Sequence, residues 1–132
     1  MSEIICLRLK RGADLKREIV RLAEEHEIKC GCVLCAVGCV SSAKLRCADG
    51  KNVIEINEPC EIVSVLGTVS KQRCHIHVSL AKSDLSVAGG HLAEGCIINT
   101  TCELMILKTE SFSIKKVFDE QTGYYEAFFA EE

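Results

Sequence analysis

The segment "CEIVSVLGTVSKQRCHIHVSLAKSDLSVAGGH" (residues 60–91) decides how the chain reads. Along 74–80, Cys74, Ile76, Val78 and Leu80 fall on one side and His75, His77 and Ser79 on the other. That period of two marks a strand with one buried face. Residues 61–70 read as a further strand before it, and "AKSDLS" turns the chain after it. Gly89–Gly90 are expected to bend the backbone tightly and deliver His91 beside the other two histidines. Three neutral imidazoles with a water in the fourth position are the usual open zinc arrangement. The plainer alternative is a pair of ordinary histidines on a half-exposed strand.

Working outward, residues 3–11 read as a strand and Asp14 as the cap of a helix over 15–26, because its carboxylate can accept the first free amide protons. Leu15, Ile19, Leu22 and Ala23 form the apolar stripe of that helix, while Lys16, Arg17, Glu24 and Glu25 face water. His26 falls in the last turn, where an imidazole suits the helix dipole. Further strands are expected near 31–40, 43–48, 52–57, 95–107, 112–118 and 124–129, with turns at "DGKN" (49–52) and "QTG" (121–123). One early helix followed by many strands predicts an α+β fold: a single domain over 1–132, core 3–129, with a mainly antiparallel, curved sheet.

"KCGCVLCAVGC" (29–39) competes for attention, with four cysteines at 30, 32, 35 and 39. A metal cluster needs thiolates converging on one point, usually from loops with two residues between paired ligands. Here the spacing matches no ligand run. Strand alternation would put Cys30, Cys32, Leu34 and Ala36 on one face and Val33, Cys35, Val37 and Cys39 on the other. The thiols then act as small apolar side chains of a central strand buried on both faces.

The chain has 132 residues, a formal net charge of −3 and an apolar fraction of 48%, which suits a buried core. The acidic balance and the absence of a basic arm argue against sequence-blind DNA binding. No apolar run reaches the ~18 residues of a membrane span, and the N-terminus lacks the pattern of a secretory signal. A cytoplasmic location with its ten cysteines reduced is therefore expected. "GGHLAEG" has the wrong spacing for a dinucleotide loop, and Ser79 has no convincing triad partners.

The stretch 60–106, above all H-I-H-V-S-L, then G-G-H-L-x-E-G-C, then T-T-x-E-L, closely resembles the plant-and-prokaryote-conserved (PPC) domain. The resemblance runs upstream through 7–46 and downstream to 119–129. It implies a homotrimer assembled through edge strands and sheet faces. It also implies a metal site, commonly zinc, on the histidines matching His75, His77 and His91. The fold is similar, more distantly, to that of acetolactate decarboxylase, a zinc enzyme. Plant members pair the domain with basic AT-hook segments that bind DNA, and no such segment occurs here. Their Gly-Arg-Phe-Glu-Ile-Leu stretch is matched by Pro59–Val63, without the Gly-Arg or the Phe.

Three functions follow as expectations. The first is a small homotrimeric module of this DNA-binding-labelled family, with a divalent-metal site and a small-molecule ligand. The second is a metal-dependent lyase or hydrolase on a small carbonyl or hydroxy-keto acid, with Glu94 or Glu103 carrying a proton. The third is a DNA-associated regulator without its own AT-hook. The reading leans away from an enzyme.

Overall fold

The structure, a computed structural model, describes residues 1–132. Its elements run β1 (Ser2–Lys10), α1 (Leu15–Glu25), β2 (Cys30–Arg46), β3 (Val53–Ile56), β4 (Cys60–Val69), β5 (Cys74–Ala81), β6 (Val87–Leu92), β7 (Ile97–Thr109), β8 (Phe112–Asp119) and β9 (Tyr124–Glu131). This is the expected α+β domain, with one helix and an antiparallel sheet. No helix is long and apolar enough to cross a membrane.

Helix α1 starts where the cap chemistry places it. One Asp14 carboxylate oxygen accepts the Arg17 amide N–H at 3.2 Å, and the other accepts the Gly95 N–H at 2.7 Å. One side chain thus starts the helix and ties it to the loop ahead of β7. Leu15, Ile19, Leu22 and Ala23 are buried and share one core with the inner face of the sheet. The helix ends at His26, whose N–H donates to the Leu22 carbonyl at 3.0 Å.

The main sheet has the order β1-β7-β2-β4-β5-β6, and its centre is the 17-residue strand β2. The first part of β2 lies between β7 and β4. Its last residues lie between β6 and β3: Leu45 faces Leu92, and Arg46 faces both His91 and Val53. With β4 on one side and β6 on the other, β2, β4, β5 and β6 close into a ring. Three register slips along β2, between Val33 and Cys35, Gly38 and Val40, and Val40 and Ser42, bend it enough for this. At Gly38 the β7 backbone comes so close that a Cβ would stand 2.8 Å from the Cys102 Cα and closer still to the Thr101 carbonyl oxygen. Only glycine fits there.

The slips correct the expected alternation of the cysteine stretch. Two separate strands, 31–40 and 43–48, were expected, yet β2 is continuous, because bulges bend a strand without ending it. Its buried positions are Cys30, Gly31, Val33, Ala36, Val40, Ala43 and Leu45, a spacing no strict period of two produces. Nor is β2 buried on both faces. Cys32, Cys35 and Cys39 are half-buried on the outer face, and Leu34 and Val37 are exposed there.

A second correction concerns 87–92, where no strand was expected. Gly89 and Gly90 are extended within β6, paired with Ser79 and Val78 of β5. The turn falls where "AKSDLS" was expected to make it, at 82–86, where Leu85 takes a φ of 68° and the Leu85 N–H donates to the Lys82 carbonyl at 2.9 Å. Strands β8 and β9 form a separate hairpin. Its buried Ile114 donates its N–H to the Lys29 carbonyl at 2.9 Å, and Glu126 meets Arg73 at 3.4 Å.

Candidate metal centre

The sheet register assembles the histidines. Ile76, Val78 and Leu80 point into the core, so His75 and His77 share the opposite face of β5. His77 is paired with His91 across the β5–β6 ladder, so His91 arrives through strand pairing and not through a glycine bend. The ring centroids are 5.0 Å apart for His75 and His77, 5.2 Å for His75 and His91, and 5.6 Å for His77 and His91. Each residue offers one ring nitrogen within 4.8 Å of the others, and no other group of three or more His, Cys, Asp or Glu converges in this way.

Two of the three rings, His75 and His91, are held towards the neutral form. Burial, then the Arg46 guanidinium and the neighbouring His75, pushes His91 down to about 4. Burial, with Arg73 and His77, holds His75 below its ordinary value. A metal ligand must present an unprotonated nitrogen, so this environment favours the state an ion requires. Nitrogens sharing one ion at ~2.0–2.1 Å lie at most ~4.2 Å apart, so small side-chain rotations would draw the trio together. The donor set, three neutral imidazoles, fits a borderline divalent cation with an open position.

Other charged groups surround the trio. An Arg46 Nη2 donates to the His91 Nδ1 at 3.2 Å, and the Arg46 Nε–H is buried without a partner. Beside the histidines lies a cavity of 570 Å³ walled by Arg46, Arg73, His75 and His91 from the ring and by Lys116, Tyr124 and Tyr125 from the hairpin. A second hollow of 400 Å³ takes in all three histidines with Gly89 and Gly90.

The structure does not bring the two acidic candidates to this place. The Glu94 carboxylate accepts from the Arg17 Nη2 at 3.0 Å and is exposed at the foot of α1. Glu103 lies on β7 between Arg8 and Val37, with β2 and β4 between it and β5 in the sheet. Arg46, Arg73, Lys116, Tyr124 and Tyr125 carry no local sequence signal. Their positions follow from long-range register and from the docking of the hairpin.

Residues 1–110 match the family model described as the Plants and Prokaryotes Conserved (PCC) domain, the domain resembled above. The chain belongs to this family. Among PCC relatives, it is 37% identical over 124 residues to the "Bifunctional protein GlmU" of a Synechococcus strain, a match covering 94% of this chain. The chain spans about 20% of that protein's length. Among solved PCC-like structures, the metal-containing protein AF0104 from Archaeoglobus fulgidus is 35% identical with a TM-score of 0.79, covering 96% of this chain and 93% of the other. A hypothetical protein from Salmonella shares the fold at a TM-score of 0.95 and 21% identity, covering 99% and 95%. The hairpin wall of the cavity lies beyond the stretch that the PCC model matches.

Proposed function

We propose that this chain is a divalent-metal-binding module, with His75, His77 and His91 as its protein ligands and zinc or a similar ion as its cation. The convergence of three imidazoles, two of them held below their ordinary pKa, carries the reading. AF0104, a metal-containing protein with 35% identity, supports it. The bound ion would supply Lewis acidity at its open position. The chain's own residues place the three nitrogens, hold His75 and His91 towards the unprotonated state and leave a cavity at their side. Neither Glu94 nor Glu103 reaches that cavity, so binding is a better-supported role than catalysis. The net charge of −3 also weighs against a DNA-associated regulator.

The module works as a homotrimer in this reading. Its outer sheet face carries Ile4, Val37, Val63 and Leu66, each more than half exposed, beside Cys6 and the partly covered Met105. An apolar face of this kind is normally covered by a partner. Two measurements on purified, untagged protein test the proposal. Elemental analysis should find one equivalent of metal per chain, absent from the double variant His75→Ala, His77→Ala; equal metal in both would overturn the site. Light scattering should give three times the 14.5 kDa chain mass, falling towards a single chain in Val37→Asp with Leu66→Asp. An unchanged mass in that variant would remove this face from the assembly.

A further inference from the structure

We propose that the cavity beside the three histidines is a binding site for a small organic anion, with Arg46 and Lys116 as its charge-recognising residues, and that anion and metal bind cooperatively. The cooperative part rests on the metal reading; the anion site itself rests on the cavity.

Of the five charged side chains around the cavity, Arg46, Arg73 and Lys116 are cations, while Asp49 and Glu126 are anions. Both anions are engaged elsewhere. Asp49 is turned into its own loop, accepting the Lys51 and Asn52 amide N–H groups at 2.9 Å each, and Glu126 meets Arg73 at 3.4 Å. Arg46 and Lys116 face the cavity with no carboxylate partner among the chain's ion pairs. The Arg46 Nε–H is buried and unpaired, which costs free energy unless a ligand accepts from it. A guanidinium and an ammonium across one opening suit a carboxylate or phosphate, and Tyr124 and Tyr125 offer rings and hydroxyls to a carbon body. At 570 Å³ the cavity has the size of small-molecule sites.

The coupling follows from one hydrogen bond. Arginine has only donors, so the contact at 3.2 Å requires the His91 Nδ1 to accept, which leaves the proton on Nε2. A neutral imidazole has a single free lone pair, and here Arg46 occupies it. His91 can ligate an ion only by giving up this bond, whichever nitrogen it then uses. Arg46 would then lose its one side-chain acceptor beside the cavity, leaving Nη2 as well as Nε unpaired. An anion restores both partners and offsets the charge of the ion. Each ligand therefore strengthens the other by the same factor.

The test uses the chain's own reporters. It has no Trp and two Tyr, and both tyrosines line the cavity. Lactate and inorganic phosphate, with neutral glycerol as control, are titrated into zinc-loaded and metal-free protein while tyrosine fluorescence is followed. Saturable quenching by at least one anion and none by glycerol is expected, and the tighter anion distinguishes a carboxylate ligand from a phosphate. Lys116→Gln and Arg46→Gln should each weaken anion binding about tenfold, the effect of losing one charge-assisted hydrogen bond. Zinc content should stay at one equivalent in both variants, and the anion should raise zinc affinity in wild type but not in Arg46→Gln. Anion binding equal in wild type and both variants, or no saturable response to either anion, overturns the site. Zinc affinity independent of anion overturns the coupling. A wild-type chain that takes up no zinc refutes the metal reading separately, and the anion site is then decided by Lys116→Gln in metal-free protein.

Discussion

Strand β2 carries four cysteines within ten residues, whereas β5 and β6 carry three histidines spread over seventeen. The denser group offers the softer and stronger metal ligands, yet its thiols form no group of three. Cys30 is buried at the start of the strand, on the same face as Cys32, and Cys32, Cys35 and Cys39 are strung along the outer face, where Cys35 faces Met105 and Cys39 faces Glu61. The sparser group converges because two histidines share one face of a strand and the third is set opposite one of them by the ladder. What makes a ligand set is alignment across neighbouring strands, and the density of ligand-type residues along one strand contributes nothing to it.

The largest effect should come from exchanging the two groups' roles. Cys32→Ser, Cys35→Ser and Cys39→Ser combined should keep the full metal content that the double histidine variant loses, read by elemental analysis. Loss of metal from the serine variant would break the comparison.

Next come the glycines that allow close backbone approach in each region. Gly38→Ala forces a methyl group against the β7 backbone and should cost about 3 kcal/mol in a denaturant titration, at the upper end of overpacking effects. Metal stoichiometry should survive. At Gly90 a Cβ would stand 2.9 Å from the Arg46 carbonyl oxygen, prising β6 from the end of β2. Gly90→Ala should cost less stability but weaken metal binding, measured by chelator competition. Reversed outcomes would mean that the metal site does not depend on ring closure.

A smaller effect concerns pH. His91 is held at about 4 and His75 below its ordinary value, whereas the unfolded chain takes up protons near 6.5. Between those values the unfolded state binds more protons than the folded one. Stability of metal-free protein therefore falls as pH drops from 6.5 towards 4. The denaturation midpoint should be lower at pH 5 than at pH 7, and less so in His91→Asn. The smallest effect belongs to Cys102, fully buried on β7 with burial pushing its thiol up to about 11. Cys102→Ala should cost about 1 kcal/mol and leave metal binding intact.

The helix, with its Asp14 cap and four-residue stripe, was legible because every signal is local. So were the faces of β5, where polar and apolar residues alternate without interruption. The β2 bulges were not legible: Cys, Val, Ala and Leu all tolerate either face, so composition does not reveal where the alternation slips. Strand β6 was hidden because "VAGGHL" contains two of the residues that strands avoid, and only its pairing with β5 and β2 holds it extended. The pairing of Arg46 with His91 joins residues 45 positions apart, and no spacing rule anticipates it.

The ring of strands has one short joint. Between β2 and β6 it is closed by Leu45 with Leu92 and Arg46 with His91, and extended by the Ala93 N–H to the Lys44 carbonyl at 3.3 Å. Such a joint opens more readily than the long ladders around it, so amide hydrogens of β6 should exchange with solvent before those of β2 and β7. An ion would fasten β6 to β5, and an anion on Arg46 would reach across to β2. The two ligands together would act as a hoop on a barrel whose staves meet loosely at one place. Occupancy of the site would then be recorded in the exchange lifetime of a few backbone protons, whether or not any chemistry takes place there.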